Sequence, residues 1–285
     1  SVAFARNPMT LANLAWDLNQ YARGRFSLGL GSQIRQHITR RFSMPWSKPA
    51  ARMREFILAL RAIWECWESG GRLEFDGEFY RHDLMTPMFV PSAKEYGAPG
   101  VCLAAVGPLM TETAAEVAEG MIAHGFTTEK YLREVTLPAV ARGLEKSARD
   151  RSEFDIRAPI MVVSGTSDEA FEQSLQAVKG QIAFYGSTPA YRPVLELHGW
   201  GELQGELNQL TREGRWAEMG QLIDNAMLHA FAVVAEDPLQ IPGLLQQRYG
   251  DLIDTWQCTY ESGDAGLQGE LVAAVQQQGG DSAAD

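Results

Sequence analysis

Short apolar segments alternate with helical patterns along most of the chain, and this alternation limits the fold more than any other feature. The candidate strands lie at residues 2–5, 25–31, 100–105, 120–124, 156–163 and 252–258. Their apolar residues run continuously instead of alternating with polar ones, which is typical of parallel strands buried on both faces. The pattern therefore predicts an α/β fold in which outer helices cover a parallel sheet.

No linker-like composition or internal repeat interrupts this pattern, so we expect one domain over residues 1–260. Within it, residues 72–82 are predicted to form a hairpin, because the Asp76-Gly77 pair favours a tight turn. Residues 189–229 are predicted to be a helical insertion. Residues 261–285, rich in Gly, Gln and Ala, are predicted to be a flexible C-terminal tail.

Two helices are clear in the sequence. The first runs from Pro8 to about Tyr21, with Leu11, Leu14, Ala15 and Leu18 expected on its buried face. The second begins after Ser47, a candidate N-cap, and Gly70 ends it. Its apolar residues recur at helical spacing: Met53, Phe56, Ile57, Leu60, Ile63, Trp64 and Trp67.

The net charge of the chain argues against two classes of partner, and its cysteines indicate its compartment. The chain carries 25 Lys and Arg against 36 Asp and Glu, a formal charge of -11 that repels nucleic-acid phosphates and anionic lipids. We therefore expect neither a nucleic-acid nor a membrane partner. The three cysteines are widely spaced and no signal peptide precedes the first element, which predicts a cytoplasmic protein.

Familiar catalytic motifs are missing from the sequence. Gly29-Leu30-Gly31 follows a strand, but Ile34 stands where a dinucleotide-binding loop has its third glycine. No P-loop or GxSxG motif is present. The five histidines lack metal-ligand spacing, so no metal site is expected.

Two segments at strand ends remain as candidate binding sites. From Ala104 to Thr111 a strand turns through Gly107 into a helix, which is either an ordinary turn or a phosphate site at a helix N-terminus. After Gly31, a polar loop carries Arg35, His37, Arg40 and Arg41. This loop is either simply solvated or forms a rim that attracts an anionic ligand.

Aromatic residues in loops and at strand ends are candidates for an apolar substrate pocket. They are Trp46, Tyr80, His124 and Phe126. For His124, a structural role as a hydrogen-bonded histidine is the alternative.

Several of these segments together resemble a known family. The strings Ala5-Arg6-Asn7-Pro8 and Gly24-Arg25-Phe26-Ser27-Leu28-Gly29-Leu30-Gly31 are similar to strands three and four of the bacterial-luciferase-like oxidoreductases. The segment from Cys102 to Pro108, with the following Ala114 to Gly120, resembles the fifth strand, its helix and the sixth strand. The resemblance covers residues 1–260 and is closest to the branch that uses the deazaflavin coenzyme F420.

The resemblance implies a TIM (β/α)8-type barrel, of which this chain has about six strand–helix units. The first two units of the family have no counterpart, so the chain is expected to be truncated at its N-terminus. The implied activity is hydride transfer between F420 and an unidentified small organic substrate, by a homo-oligomer. An FMN-dependent monooxygenase and an inactive truncated homologue acting as a subunit or interaction protein are the alternatives.

The resemblance also implies roles for individual residues. Phe4, Ala5 and Arg6 would lie behind the cofactor ring, with a non-prolyl cis peptide bond near Ala3-Phe4-Ala5. The ring or ribityl chain would lie beside Gly31, Ser32 and Gln33, and the phosphate at Val106, Gly107, Pro108 and Leu109. Arg35, Arg40 and Arg41 would face the polyglutamate tail of F420. No general acid or base can be assigned.

Overall fold

The structure, a computed structural model, describes residues 1–258 and 269–274. Its strands are β1 (Ser27–Leu30), β2 (Phe75–Asp76), β3 (Arg81–His82), β4 (Gly100–Ala105), β5 (Gly120–Ala123), β6 (Asp155–Val163), β7 (Ala232–Val234) and β8 (Thr255–Cys258). Its α-helices are α1 (Pro8–Tyr21), α2 (Pro49–Ser69), α3 (Pro108–Val117), α4 (Glu129–Tyr131), α5 (Leu137–Ser147), α6 (Asp168–Gly186), α7 (Arg192–Leu197), α8 (Leu203–Glu213), α9 (Trp216–Met219), α10 (Asn225–Phe231) and α11 (Ile241–Tyr249).

Contacts divide the chain into two compact units. Unit 1 comprises Ser1–Ile122 and Pro138–Asp155, and unit 2 comprises Ala123–Leu137 and the chain from Ile156 onward. The single domain expected over residues 1–260 stays a prediction. Of the tail expected at 261–285, only residues 269–274 are described, and they are helical.

The sheet of unit 1 is parallel. β1 pairs with β4 in a register that runs from Ser27 opposite Gly100 to Leu30 opposite Leu103. β5 lies on the other side of β4. Val2 forms a parallel bridge to Gly31, and the Ala3 N–H donates to the Gly31 carbonyl at 2.9 Å. The predicted α/β fold with a mostly parallel sheet is confirmed.

α2 is built as its spacing predicts. The apolar residues expected on its inner face are all buried, and Gly70 ends it in the left-handed region at φ +72°. The predicted N-cap at Ser47 is wrong. Lys48 takes that position at φ +35°, and its side chain does not cap the helix, because an ammonium group only donates hydrogen bonds. Pro49 follows as the first helical residue, which has no N–H to satisfy.

The inner face of α1 differs from the prediction. Leu11 and Ala15 are buried, but Leu14 and Leu18 are 46% and 41% exposed. The buried stripe instead adds Trp16, whose ring meets Trp67 of α2 edge-on with 5.5 Å between centroids. Contact with a large aromatic side chain therefore decides which face of the helix turns inward.

The predicted tight turn at Asp76-Gly77 is wrong. β2 and β3 pair in an antiparallel hairpin, but the residues from Gly77 to Tyr80 form a longer loop between them. The Glu55 carboxylate of α2 accepts hydrogen bonds from the backbone N–H groups of residues 78–80 at 2.6–2.9 Å. A Cβ at Gly77 would lie 2.2 Å from Glu55 Oε1, so this contact requires glycine.

The cis peptide bond expected near Ala3-Phe4-Ala5 is also wrong. Across residues 1–258 and 269–274 no peptide bond is cis. Ala3–Ala5 form a single 3-10 turn that the Arg6 N–H closes by donating to the Ala3 carbonyl. Ala3 and Phe4 are fully buried in this turn.

Unit 2 surrounds β6, which pairs in parallel with β7 and with β8. Ser167 caps α6 by accepting a hydrogen bond from the Ala170 N–H. The stretch 189–229 contains α7, α8, α9 and all but the last two residues of α10. Its apolar side chains join β6 and α6 in a core that includes Val178, Ile182, Leu207, Leu228 and Phe231.

Candidate functional site

The structure brings together the ends of three segments, which we call the strand-end edge: residues 3–5, 31–33 and 104–109. The parallel register continues beyond β1, so a Cβ on Gly31 would lie 3.7 Å from Ala104 Cβ. Ala104 is exposed although it lies inside a strand, and Leu109 is 74% exposed. These segments carry the residues predicted to bind the cofactor, and their open surface lies at carboxyl ends of parallel strands, where α/β proteins bind ligands.

The start of α3 offers unpaired backbone donors to this edge. Pro108 is the first residue of the helix and has no N–H, so Leu109 and Met110 carry the first amides that lack a partner within the helix. No acidic residue lies in this first turn, and no side chain caps it. Amides and helix dipole together therefore favour an anion at this position.

Gly107, the N-cap of α3, is not explained by packing within the protein. Its φ of -98° is accessible to any residue, and a Cβ built on it would meet nothing within 4 Å. The free space beside Gly107 is thus available to a ligand that approaches the backbone closely.

The basic segment is partly helical and not only a loop. Residues 35–41 form a helical turn of which His37–Arg41 has π geometry. Arg35, Arg40 and Arg41 are exposed, and none forms an ion pair with a carboxylate in the described chain. Gln33 precedes the turn at φ +58°, a costly conformation for a residue other than glycine, and its side chain contacts His37 Nδ1 at 3.2 Å.

In unit 1, Trp46 and Tyr80 are linked through Phe4 and Arg52, and the sequence analysis did not single out Arg52. The Arg52 guanidinium, in the first turn of α2, donates from Nε to the Tyr80 hydroxyl at 2.9 Å. Phe4 lies between the two parts of this cluster, because its ring contacts Trp46 edge-on at 5.6 Å. Burial raises the pKa of Tyr80, against the opposing effect of Arg52, so the phenol stays protonated at neutral pH.

His124 and Phe126 lie in unit 2. Phe126 is buried in the core and stacks on Phe231 with 4.5 Å between centroids. His124 is partly exposed; it stacks on Tyr191 at 4.5 Å and meets Tyr185 edge-on at 4.8 Å. Burial lowers the pKa of His124, which keeps the imidazole neutral at pH 7.

The sequence contains a sign of Arg52 but none of the two tyrosines that pack against His124. Arg52 lies beside Met53 and one turn before Phe56, on the apolar face of α2, so a cation among core residues was a visible signal. Tyr185 and Tyr191 are about 60 residues from His124 in the sequence, and no local pattern relates them.

Metal ligands, cysteines and long apolar helices can be assessed over residues 1–258 and 269–274. No group of three His, Cys, Asp or Glu side chains could hold a metal ion. Cys66 and Cys102 are buried free thiols. No helix in this part of the chain has the length and apolar character needed to span a membrane.

A parallel α/β scaffold with an open edge and free amides at its strand ends has the arrangement at which α/β barrels bind their ligands. Residues 1–255 match the model of the luciferase-like monooxygenase family, and the chain belongs to that family. Sequence relatives of the chain include F420-dependent enzymes, and a monooxygenase is among the solved structures that share its fold. The predicted family and fold are thereby confirmed.

Three comparisons give the degree of likeness. The chain is 54% identical over 255 residues to an uncharacterised protein of Mycobacterium tuberculosis, covering 89% of this chain and 74% of the other. It is 30% identical to the F420-dependent glucose-6-phosphate dehydrogenase of Rhodococcus erythropolis over 171 residues, 59% of this chain and 48% of the relative. The structure of the F420-dependent tetrahydromethanopterin reductase of Methanopyrus kandleri matches with a TM-score of 0.73 at 20% identity, over 94% of this chain and 78% of that one.

Proposed function

We propose that the chain is an F420-dependent oxidoreductase that transfers a hydride between the deazaflavin and a small organic substrate. The observation that carries the proposal is the strand-end edge, where residues 3–5, 31–33 and 104–109 form one surface beside free amides. F420-dependent relatives in the family support the choice of cofactor.

The residues of the edge fit a phosphorylated cofactor. The amides of Leu109 and Met110 would hold the phosphate, and the free space at Gly107 lets a phosphate oxygen approach the backbone. Val106 and Pro108 lie on either side of Gly107 in the turn that leads into α3. The backbone of Phe4, Ala5 and Arg6 and the segment Gly31-Ser32-Gln33 would contact the ring and its ribityl chain. When bound, the deazaflavin supplies a carbon that accepts or donates a hydride.

The basic segment favours F420 over FMN. FMN ends at its phosphate, whereas F420 continues into a polyanionic tail. Arg35, Arg40 and Arg41 stand two, seven and eight residues after Gln33 and have no carboxylate partner within the described residues. Three unneutralised guanidinium groups in an acidic protein therefore support a role in binding that tail.

The aromatic cluster of unit 1 would exclude water and contact substrate. Trp46 and Tyr80 present partly exposed rings, while Arg52 and Phe4 fix them from behind. His124 and Phe126, the other two residues predicted to line a pocket, lie in unit 2, and their part in substrate binding stays a prediction. A cytoplasmic location and a homo-oligomeric state stay predictions.

A competition titration tests the choice of cofactor. The full chain is mixed with oxidised F420 or FMN, and binding is followed by the change in cofactor fluorescence. We expect F420 to bind more tightly than FMN, and the difference to shrink as salt screens the arginines. Equal or tighter binding of FMN would instead support a monooxygenase on the same scaffold.

A further inference from the structure

A backbone hydrogen bond fixes where the imidazole of His124 carries its proton. The Phe126 N–H lies 3.0 Å from His124 Nδ1. Because a backbone N–H only donates, Nδ1 is the accepting nitrogen, and the proton of the neutral ring is on Nε2. Within residues 1–258 and 269–274, Nε2 has no hydrogen-bond partner of its own.

The surroundings of this ring oppose a positive charge. Tyr185 of α6 and Tyr191 of the turn Pro189–Tyr191 are the titratable groups packed against it. Burial, aided by Tyr185, raises the pKa of Tyr191, so that phenol is uncharged at neutral pH. Protonation of Nδ1 would place two donors opposite each other at the Phe126 amide. The imidazole is thus held neutral and offers one N–H.

These contacts also exclude proton transfer by His124. The basic nitrogen is occupied by the Phe126 N–H, and a neutral imidazole is far too weak an acid to release its Nε2 proton at pH 7. Among the residues that the structure describes, no cation contacts this ring. A free donor between two aromatic rings therefore suits an uncharged acceptor better than a phosphate or carboxylate.

We propose that His124 is a hydrogen-bond donor of fixed tautomer, whose Nε2–H binds the carbonyl oxygen of an apolar substrate. The inference rests on the proposed function, since it names the substrate class of that enzyme. The side chain binds and polarises the carbonyl, and it does not exchange protons with the substrate.

The first test needs no cofactor, so its failure is distinct from failure of the proposed function. Imidazole nitrogen shifts of the full chain, measured by NMR, should show the Nε2–H form at pH 7 and titration below 6.5, the ordinary value for histidine. An Nδ1–H form, or a doubly protonated ring at pH 7, would overturn the proposal.

The second test uses acetophenone as a carbonyl probe and inorganic phosphate as an anionic one. Acetophenone should shift the Nε2–H signal in a saturable way, and phosphate should not. If phosphate alone shifts it, or neither probe does, the proposed substrate class is wrong.

Two variants separate the donor from the rest of the side chain. His124→Asn keeps an acceptor for the Phe126 N–H but cannot reach the ligand, whereas His124→Gln places an amide N–H near the Nε2 position. We expect acetophenone to bind about 3- to 10-fold more weakly to H124N, the scale of one neutral hydrogen bond, and to bind H124Q almost as well as the unchanged chain. Equal loss in both variants, or loss in neither, would contradict the proposal. His229→Asn, at an exposed histidine, is the control.

Discussion

The Arg52 guanidinium lies over the Phe4 ring, with 4.6 Å between its central carbon and the ring centroid. Both side chains are buried, Arg52 at 8% exposure and Phe4 at 0%. The same guanidinium donates to the Pro45 carbonyl at 2.7 Å and to the Tyr80 hydroxyl. One cation thus holds together the Ala3–Ala5 turn, the chain at Pro45 before α2 and the loop of the β2–β3 hairpin.

Replacing Arg52 should destabilise unit 1. Arg52→Gln loses the contact with the Phe4 ring and leaves the Tyr80 hydroxyl and the Pro45 carbonyl without their charged donor. We expect a loss of about 2–4 kcal/mol in the free energy of unfolding, measured by urea denaturation. Arg72→Gln, at an exposed arginine paired with Glu74, should change it by less than about 0.5 kcal/mol. Equal effects of the two substitutions would show that Arg52 is not a structural link.

The local pattern of α2 was enough to predict its buried face and its end at Gly70, because one helix and its contacts decide both. The face of α1 was not predictable in the same way. Leu14 and Leu18 have helical spacing, yet Trp16 turns inward against Trp67, more than fifty residues later in the chain.

Long-range contacts explain the other differences. The turn expected at Asp76-Gly77 is replaced by a longer loop because Glu55, on another element, binds three of its amides. The strand-end edge was predictable, since parallel strands bring their carboxyl ends to one side. The place of Arg52 on the apolar face of α2 was visible in the sequence, but its partners and the tyrosines around His124 depend on side-chain packing that no local spacing encodes.

The basic segment should contribute to cofactor affinity through its charge. We expect the double variant Arg40→Ala/Arg41→Ala to bind F420 about 3- to 30-fold more weakly, with little change for a deazaflavin that lacks the anionic tail. Fluorescence titration at low and high salt measures both. Arg72→Ala/Arg212→Ala removes the same formal charge from exposed sites elsewhere and serves as the control. A similar loss in the two double variants would mean that only net charge matters.

Stability should fall on mild acidification because of three histidines. Burial lowers the pKa of His82, His124 and His198 in the folded chain. Below pH 6.5 the unfolded chain therefore binds more protons than the folded one, so this stabilisation is complete above 6.5 and is lost as the pH falls.

Urea denaturation at pH 7.5 and 5.5 measures this effect. We expect a lower free energy of unfolding at pH 5.5, and a smaller difference when all three histidines are replaced by Gln. A chain that is equally stable at both pH values would contradict the assignment of three histidines that stay neutral in the fold.

The most direct test of the account is F420 binding by Gly107→Val. The φ and ψ of Gly107 suit valine, and a Cβ there meets no protein atom within 4 Å, so the thermal unfolding temperature should stay unchanged. The added methyl groups would occupy the space assigned to the phosphate, and we expect F420 affinity, measured by calorimetric titration, to fall at least about 10-fold, or about 1.4 kcal/mol. Gly205→Val, at an exposed glycine that also has free space, should bind F420 as the unchanged chain does. Undiminished F420 affinity in a folded Gly107→Val chain would contradict the placement of the cofactor phosphate at the strand-end edge.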